Sequence, residues 1–348
     1  MGNVFEHRVT RGAVRLVRRW EEEPGVSPSR RGGGTNAGGR GQSTAGRQQR
    51  QFSARSRRSM RYEFSALPWE LLGHRPAMVT LTYPANWRAC APDARAVVRH
   101  REALKERWRR RYGSPVGVWV MEFQPRARRA AEEQQAPHVH LYVGLPDMPD
   151  AEFHGLVRRT LARKRLERDL GKYEGRRRVG PPDGEFARWL LQAWWEVVGS
   201  GDTLHRRRGV DITPAFWSEE AEAAANRVRI ADYFWRESGK WGQKTPPEGF
   251  GGLAFYGRWG GRRGFEPMEG ARQIEDRVFY ELRRVYRRYV SGQMRQEAER
   301  QGRKSRPYQG PRGRDGLTAF VPDAVALASR LQMWAEGEAA RKALAASR

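Results

Sequence analysis

The sequence predicts an α+β fold, in which antiparallel strands are interrupted and followed by amphipathic helices. One observation is a set of three short segments, at 78–84, 115–123 and 135–146, that alternate or are rich in β-branched and aromatic residues, as strands are. A second is that longer segments between and after them repeat apolar residues every three or four positions, as helices do. With 348 residues, the chain is long enough for one large core or two modest domains.

The first strand and the first helix have clear boundaries in the sequence. In "MVTLTYP" apolar residues alternate with Thr80 and Thr82 until Pro84 ends the strand. Asp93 is placed to cap a following helix, whose apolar residues share one face up to Gly113. The next two strands, "PVGVWVMEF" and "QAPHVHLYVGLP", flank a basic segment and are expected to pair antiparallel as a long hairpin.

The second half of the chain is predicted to be mostly helical. Helices are expected from Asp150 and over about 183–199, followed by a short strand at "GVDIT". A further helix is expected to begin at Ser218 and to carry "VRIADYFWRESGK". Beyond residue 270 an apolar stripe lies opposite a row of arginines, and a last helix is expected near 322–346.

Composition divides the chain into three parts. Residues 1–61 contain 14 arginines, four acidic residues and no lysine, with a Gly-, Ser- and Gln-rich stretch that buries little apolar surface, so we expect a disordered basic arm. Residues 62–270 hold most of the strand and helix signals and are expected to form the central domain. Residues 271–348 are expected to form a helical, basic C-terminal extension.

The charge balance predicts a polyanionic partner. Lysine and arginine total 66 against 40 acidic residues, a formal net charge of +26 that favours nucleic acid over a membrane surface. Codon usage in a GC-rich genome explains the excess of arginine over lysine equally well, but it does not explain the net charge. Cys90 is the single cysteine, and no apolar run of about 18 residues occurs, so we expect a cytoplasmic protein without disulfides or a membrane segment.

Two histidines stand out within the third strand segment. His138 and His140 alternate with Val139 and Leu141, so the imidazoles share the face opposite the apolar residues, and we expect that face to be accessible. Antiparallel pairing with the preceding strand can bring Glu122 beside them. Two imidazoles and a carboxylate form a facial site for a divalent metal, with positions open to substrate. Two surface histidines share this spacing by chance in some chains, so further motifs are needed to decide.

The motifs around this pair resemble those of the HUH endonucleases, in which His, a hydrophobic residue and His on a strand bind metal for nicking single-stranded DNA. The pattern here is "PHVHLYVGLP". The order of "MVTLTYP", the histidine motif and "ADYFWRESGKWGQKTPPEGF" is most similar to rolling-circle replication initiators of bacterial plasmids and single-stranded DNA phages. The resemblance covers about residues 75–265 and implies a central antiparallel sheet of about five strands, with helices on one face and the active site on the other.

The resemblance also implies roles for individual residues. It implies metal binding by His138 and His140, with Glu122 as third ligand and Gln124, on the same strand face, as the alternative. Tyr233 corresponds to the nucleophilic tyrosine. The other implied site residues assist the reaction or contact DNA: Arg236 and Lys240 beside the tyrosine, Trp235 as a base-stacking side chain, and Arg126, Arg128, Arg129 and Lys244.

Two positions limit the match around the tyrosine. Arg236 stands where the family often has a first Lys, a departure that keeps the charge but removes a titratable amine. Lys240 fits the second Lys. Tyr256 is the second choice of nucleophile, because its neighbourhood lacks a helix with cations at the matching spacing.

The implied reaction is a transesterification on single-stranded DNA. Tyr233 attacks a phosphate, which gives a 5′-phosphotyrosine link and a free 3′-hydroxyl, with Mg²⁺ or Mn²⁺ as the metal. The implied partners are single-stranded DNA at a replication origin and the polymerase and helicase of a bacterial host. The chain has no GxxxxGK[ST] motif that would supply a motor of its own.

Alternatives from two classes stay open. Relaxases and transposases use the same metal motif, but relaxases usually place the tyrosine before the histidines, and small HUH transposases are much shorter chains. A noncatalytic, Arg-rich nucleic-acid-binding protein would need no chemistry from the histidines. That interpretation leaves the order of the three motifs unexplained.

Overall fold

A computed structural model gives the structure of the chain. It describes the following residues: 3–10, 13–20, 54–124, 135–171, 174–175, 178–215, 246–260, 269–300, 302, 304, 317–320 and 324–346. These residues fall into two compact units. The central unit lies within 46–61 and 68–266, and the terminal unit lies within 1–45, 62–67 and 267–348.

Strands and helices are numbered separately along the chain. The strands are β1 (Asn3–Val9), β2 (Ala13–Trp20), β3 (Pro76–Thr82), β4 (Gly117–Gln124), β5 (Ala136–Gly144), β6 (Val210–Pro214), β7 (Tyr256–Trp259), β8 (Gly270–Ile274) and β9 (Thr318–Phe320). The helices are α1 (Ala54–Ser65), α2 (Trp87–Cys90), α3 (Ala94–Tyr112), α4 (Asp150–Leu170), α5 (Glu185–Val198), α6 (Thr203–Arg208), α7 (Asp276–Arg300) and α8 (Ala324–Ala346), with one 3-10 turn at Trp69–Leu72.

The central unit is built on a five-stranded antiparallel sheet with the strand order β6-β3-β5-β4-β7. The predicted hairpin of β4 and β5 forms, and β3 pairs with the other side of β5. The α+β class and the five-stranded antiparallel sheet are therefore confirmed. The strand that carries His138 and His140 lies at the centre of this sheet, so both of its sides are paired.

Helices α3 and α5 pack on the sheet face that carries the apolar residues. Trp108 of α3 contacts the ring of Trp259 on β7, with 6.3 Å between ring centroids, and Arg101 of α3 lies 3.7 Å from the ring centroid of Trp119 on β4. Trp194 of α5 is fully buried. Aromatic side chains of this size each remove about 150–250 Å² from water, so these contacts supply much of the core.

The sequence signals for helix ends are confirmed. The Asp93 carboxylate accepts a hydrogen bond of 2.7 Å from the Ala96 amide, which satisfies one of the free N–H groups at the start of α3. Gly199 ends α5 in the left-handed region, with φ 64° and ψ 30°, where a residue without Cβ is favoured. Short polar and glycine residues thus fix the bounds of both helices.

The terminal unit corrects the prediction of a disordered arm. Residues 3–9 and 13–20 form a hairpin inside a four-stranded antiparallel sheet with the order β8-β1-β2-β9. The arm prediction is therefore wrong for the hairpin and for residues 54–61, which belong to helix α1, while residues 21–53 lie outside the described residues. The predicted C-terminal extension contains helices α7 and α8, but it also supplies β8 and β9. Composition missed the hairpin because its partner strands lie more than 250 residues away in the sequence.

His7 belongs to the core of the terminal unit. Its side chain is buried between α7 and α8, with Nε2 3.1 Å from the Tyr286 hydroxyl and Nδ1 3.1 Å from Oε1 of Gln332. Burial, aided by the charge of Arg272, lowers the pKa of His7 although the Gln332 hydrogen bond opposes the shift. The neutral imidazole is therefore the form that the folded unit prefers.

We expect His7 to make the terminal unit less stable in acid. Because its folded pKa lies below its ordinary value near 6.5, its contribution is present above about pH 6.5 and is lost as the pH falls, by at most about 1.4 kcal/mol per pH unit. Urea unfolding at several pH values between about 5 and 7.5 measures this slope. His7→Gln is expected to reduce the slope, whereas His154→Gln, at an exposed position on α4, keeps it. Equal slopes for wild type and His7→Gln would contradict the assignment.

Among the described residues, no helix combines the length and the apolar character that crossing a bilayer requires.

Candidate metal centre on the central sheet

The three residues predicted to bind metal lie on one face of the central sheet. Glu122 of β4 is paired directly with His138 of β5, and His140 follows two positions along β5. Paired residues of neighbouring strands project to the same face. The register therefore places Glu122, His138 and His140 together, on the face opposite Trp119 and helix α3.

His140 is held between two neighbouring strands. Its Nε2 lies 3.4 Å from Oε2 of Glu122, and its Nδ1 lies 3.1 Å from the hydroxyl of Thr80, the residue paired with it on β3. When Nδ1–H donates to the Thr80 hydroxyl, Nε2 carries the lone pair that faces Glu122. That arrangement presents a neutral imidazole with a fixed ring orientation to a cation.

The face that carries these residues is more enclosed than predicted. Glu122 is 1% exposed, His138 is 9% exposed and the side chain of His140 is 15% exposed. On the same face Tyr142 is buried, with the ring of Trp69 packed edge-on against it at 5.8 Å. The alternation of β5 identifies which residues share a face, but it does not show what packs on that face, so the expectation of an open face was wrong.

Burial of the Glu122 side chain bears on its chemistry. A carboxylate removed from water is unfavourable unless a proton, a cation or hydrogen-bond donors compensate its charge. The imidazole of His140 lies next to this carboxylate. Glu122 offers an oxygen donor and His140 a nitrogen donor, and Mg²⁺ or Mn²⁺ accepts both. The chemistry of these side chains, and the strand register that places them on one face, therefore both fit a divalent ion.

Of the three predicted ligands, Glu122 and His140 are in contact with each other, but the three side chains do not surround a common metal position. Within the described ranges, no group of three His, Cys, Asp or Glu side chains is gathered closely enough to hold a metal ion. Glu122 and His140 approach each other, while His138 stands across the strand pair from Glu122. Directly paired residues have Cβ atoms about 5 Å apart, so His138 is a strand neighbour of Glu122 on the same face.

We expect Thr80→Val to weaken divalent metal binding by about 10- to 100-fold while the sheet stays folded. The change removes the hydroxyl that orients His140 but keeps a β-branched side chain in β3. Isothermal titration calorimetry with Mn²⁺ measures the affinity, and circular dichroism checks the fold. The matched control is Thr160→Val on α4, a buried threonine whose hydroxyl donates to the Leu156 carbonyl of its own helix. Unchanged Mn²⁺ affinity in Thr80→Val would exclude an orienting role for the hydroxyl.

An ionic cluster that sequence analysis missed lies beside Thr80. Asp211 of β6 is paired with Thr80, and its carboxylate accepts hydrogen bonds from Arg163 and Arg159 of α4, the latter at 2.8 Å. Arg163 also donates to the hydroxyl of Thr213 at 2.8 Å. Since these side chains project from the histidine face of β6, α4 adjoins that face at the edge of the sheet. An acidic residue inside the apolar strand "VDIT" was the sequence signal for this contact.

The electrostatics of Asp211 are dominated by its two arginines. Burial alone would raise the pKa of the carboxyl group, but Arg163 and Arg159 outweigh it and hold the pKa below its ordinary value. Asp211 is therefore ionised at neutral pH. The cluster fixes β6, and with it the outer side of β3, against α4.

The end of β3 next to His138 is fixed from the other side. The Thr82 carbonyl accepts hydrogen bonds from Nε1 of Trp194 and from Nε2 of His205, both at 2.8 Å. The Thr82 amide donates to the Gly209 carbonyl at 2.8 Å. Because Thr82 is paired with His138, these bonds from α5 and α6 hold the strand beside the first histidine. The ring of His205 thus supports the end of the strand, with Nε2 on the Thr82 carbonyl and Nδ1 2.8 Å from the Ser200 hydroxyl.

Tyr256, the second choice of nucleophile, lies on the histidine face. It is paired with Val120 of β4, which is in turn paired with His140. Neighbouring strands are about 4.8 Å apart, so the Tyr256 backbone lies about 10 Å from that of His140. Its side chain is half-buried.

The remaining predicted site residues stay predictions. Two groups lie outside the described residues: Arg126, Arg128 and Arg129 in 125–134, and Tyr233, Trp235, Arg236, Lys240 and Lys244 in 216–245. The side chain of Gln124, the alternative third ligand, lies outside them as well.

Comparison of the chain with models of protein families, with curated proteins and with solved structures finds no match. The resemblance to the HUH endonucleases therefore rests on the short sequence motifs.

Proposed function

We propose that the chain is a metal-dependent enzyme of the HUH class that nicks and rejoins single-stranded DNA. Within that class we propose that it initiates rolling-circle replication. One observation carries the proposal: the central strand of a five-stranded antiparallel sheet bears His138 and His140 on the face away from α3, with Glu122 3.4 Å from His140. The order of the sequence motifs and the net charge of +26 support the same partner.

In the proposed reaction, the sheet residues and the tyrosine have separate roles. His138, His140 and Glu122 would hold Mg²⁺ or Mn²⁺, and the ion would supply positive charge to stabilise the scissile phosphate and the departing oxygen. The Tyr233 oxygen forms a bond to phosphorus and gives up its proton, and the bond from phosphorus to the 3′ oxygen breaks. That oxygen takes a proton and becomes a free 3′-hydroxyl, while the phosphate stays linked to the tyrosine.

The cations near Tyr233 support the phosphate. Arg236 and Lys240 follow the tyrosine at helical spacing, so in a helix they share its side. Since one phosphoester replaces another, the reverse reaction rejoins the strand without ATP. In the proposed setting, a bacterial cytoplasm, host polymerase extends the 3′-hydroxyl and a host helicase separates the strands.

A covalent adduct assay tests this function. Labelled single strands tiled across the DNA that flanks the coding sequence are incubated with the full chain and Mn²⁺, then separated on a denaturing gel. We expect one strand to give a downstream fragment that is linked to the protein through its 5′ phosphate, and this product disappears when a chelator is added. A noncatalytic binder would instead retain DNA in a salt-sensitive manner without cleavage. No adduct on any strand would overturn the proposal.

Two tyrosine variants locate the nucleophile. We expect Tyr233→Phe to form no adduct and Tyr256→Phe to form it as wild type does. Loss in Tyr256→Phe with retention in Tyr233→Phe would transfer the role to the tyrosine on the sheet face. Tyr112→Phe is the matched control, because its ring packs on Phe186 and Trp189, far from the histidine face.

A further inference from the structure

A row of arginines runs along the exposed side of α7 in the terminal unit. Arg277, Arg284, Arg288 and Arg295 are all exposed and are spaced seven, four and seven residues apart. At 100° per residue these positions fall within about 20° of one line along the helix. With a rise of 1.5 Å per residue, the row is about 27 Å long.

The opposite side of α7 is committed to the core. Val278, Phe279, Leu282 and Tyr286 are buried there, and Phe279 packs on Phe5 of β1 with ring centroids 4.7 Å apart. A helix that lies on a membrane inserts its apolar face between lipid headgroups. Because the apolar face of α7 is already buried in the protein, the row is not suited to a bilayer.

The row differs from the arginines in the last turns of α3 in how its charge is compensated. On α3, four arginines each form an ion pair with a glutamate at 3.0 Å or less: Arg107, Arg109, Arg110 and Arg111. On α7, Arg284 shares Glu281 with Lys342. Within the part of the chain that the structure describes, Arg277, Arg288 and Arg295 form no ion pair. The Glu281 carboxylate acts on Arg288 at longer range only, so all three guanidinium groups stay accessible to a partner.

We infer that this arginine row binds the phosphate backbone of duplex DNA. Guanidinium groups pair well with phosphate oxygens, and a row of this length follows a densely charged polyanion. Single strands are normally bound through bases stacked on aromatic side chains, whereas Tyr280, 45% exposed, is the one exposed aromatic residue of α7. The balance of many phosphate-binding groups and few stacking groups favours a duplex over a single strand.

The inferred role is separate from the chemistry of the central sheet. Duplex binding by the row does not involve the histidines or Tyr233, so the inference is independent of whether the chain nicks DNA. Contacts to phosphate carry no sequence information, and the binding they supply falls steeply with salt. The terminal unit would thus add affinity for double-stranded DNA of any sequence.

Fluorescence anisotropy of the full chain with a labelled random duplex, over a range of salt concentrations, tests the inference. The variant Arg277→Gln/Arg288→Gln/Arg295→Gln is expected to lower the slope of log affinity against log salt by about 2.7, which is about 0.9 for each lost phosphate contact. Near 0.1 M salt we expect roughly a tenfold weaker Kd for each arginine removed. Binding to a single strand of the same length is expected to change much less.

The control variant is Arg109→Gln/Arg110→Gln, which removes two exposed arginines that already share Glu106. We expect its duplex affinity and salt slope to match wild type, and thermal unfolding confirms that both variants are folded. An unchanged slope in the triple variant overturns the inference. A larger loss of affinity for the single strand than for the duplex also overturns it. The same holds if the triple variant binds DNA as wild type does and loses affinity only for vesicles of anionic lipid.

Discussion

His140→Ala is expected to lower the rate of covalent adduct formation with single-stranded DNA by about three orders of magnitude. The change removes the imidazole that faces Glu122 at 3.4 Å and leaves the buried carboxylate without that neighbour. A divalent ion at such a site is worth several kcal/mol in charge stabilisation at phosphorus, and each 1.4 kcal/mol is a factor of ten in rate. The single-turnover rate of adduct formation, with Mn²⁺ in excess, measures the effect. This prediction rests on the proposed nicking function.

Two further measurements separate loss of metal from loss of fold. Isothermal titration calorimetry of His140→Ala is expected to show weaker Mn²⁺ binding, whereas His154→Ala, at an exposed position on α4, binds and reacts as wild type does. Far-UV circular dichroism of both variants is expected to match wild type, because His140 is partly exposed and fills no core position. Wild-type adduct formation by His140→Ala would exclude this histidine as a ligand.

The sequence was sufficient to predict the shared face of the candidate site. Period-two alternation in β5 puts His138 and His140 on one side whatever the tertiary structure, and a hairpin with β4 allows few registers. The observed register of β4 and β5 is one of these, and it pairs Glu122 with His138. Local geometry decides these features, so a local pattern reveals them.

Features that depend on distant partners were not predictable in this way. The hairpin of β1 and β2 is stable in the structure because β8, β9, α7 and α8 cover it, and nothing within residues 1–61 shows that these partners exist. The enclosure of Glu122 likewise depends on what packs over the histidine face. The contact of Asp211 with Arg159 and Arg163 joins two elements about 50 residues apart, and only an acid within an apolar strand hinted at it.

The prediction with the largest effect on stability concerns this last contact. Asp211→Asn is expected to destabilise the central unit by about 2–4 kcal/mol, because Arg163 is 8% exposed and would lose the nearer of its two carboxylates, keeping only Glu167 at 3.7 Å. The value stays toward the lower end of what buried pairs show, because the Asp211 side chain is 33% exposed and water screens part of the interaction. Urea unfolding at neutral pH measures the difference.

A second substitution distinguishes an uncompensated charge from a simple loss of contacts. In Asp211→Asn/Arg163→Met, the more buried of the two arginines is removed together with the carboxylate, while Arg159 keeps its hydrogen bond to the Gly180 carbonyl. We expect part of the lost stability to return. Asp169→Asn serves as the control, since its pair with Arg168 is exposed on both sides and is worth at most about 1 kcal/mol. A double variant no more stable than Asp211→Asn would mean that hydrogen-bond geometry, rather than charge, holds α4 to β6.

The pH dependence of the same variants gives an independent check. Because the folded pKa of Asp211 is held below its ordinary value, the stability it contributes is present above about pH 4 and is lost as the pH falls through the folded pKa. Wild type should therefore lose stability in acid more steeply than Asp211→Asn does. Since Asp211 is the strand neighbour of Thr80, which contacts His140, loosening β6 should also weaken Mn²⁺ binding before the unit unfolds. Such coupling would tie the ionic cluster at the edge of the sheet to the histidines at its centre.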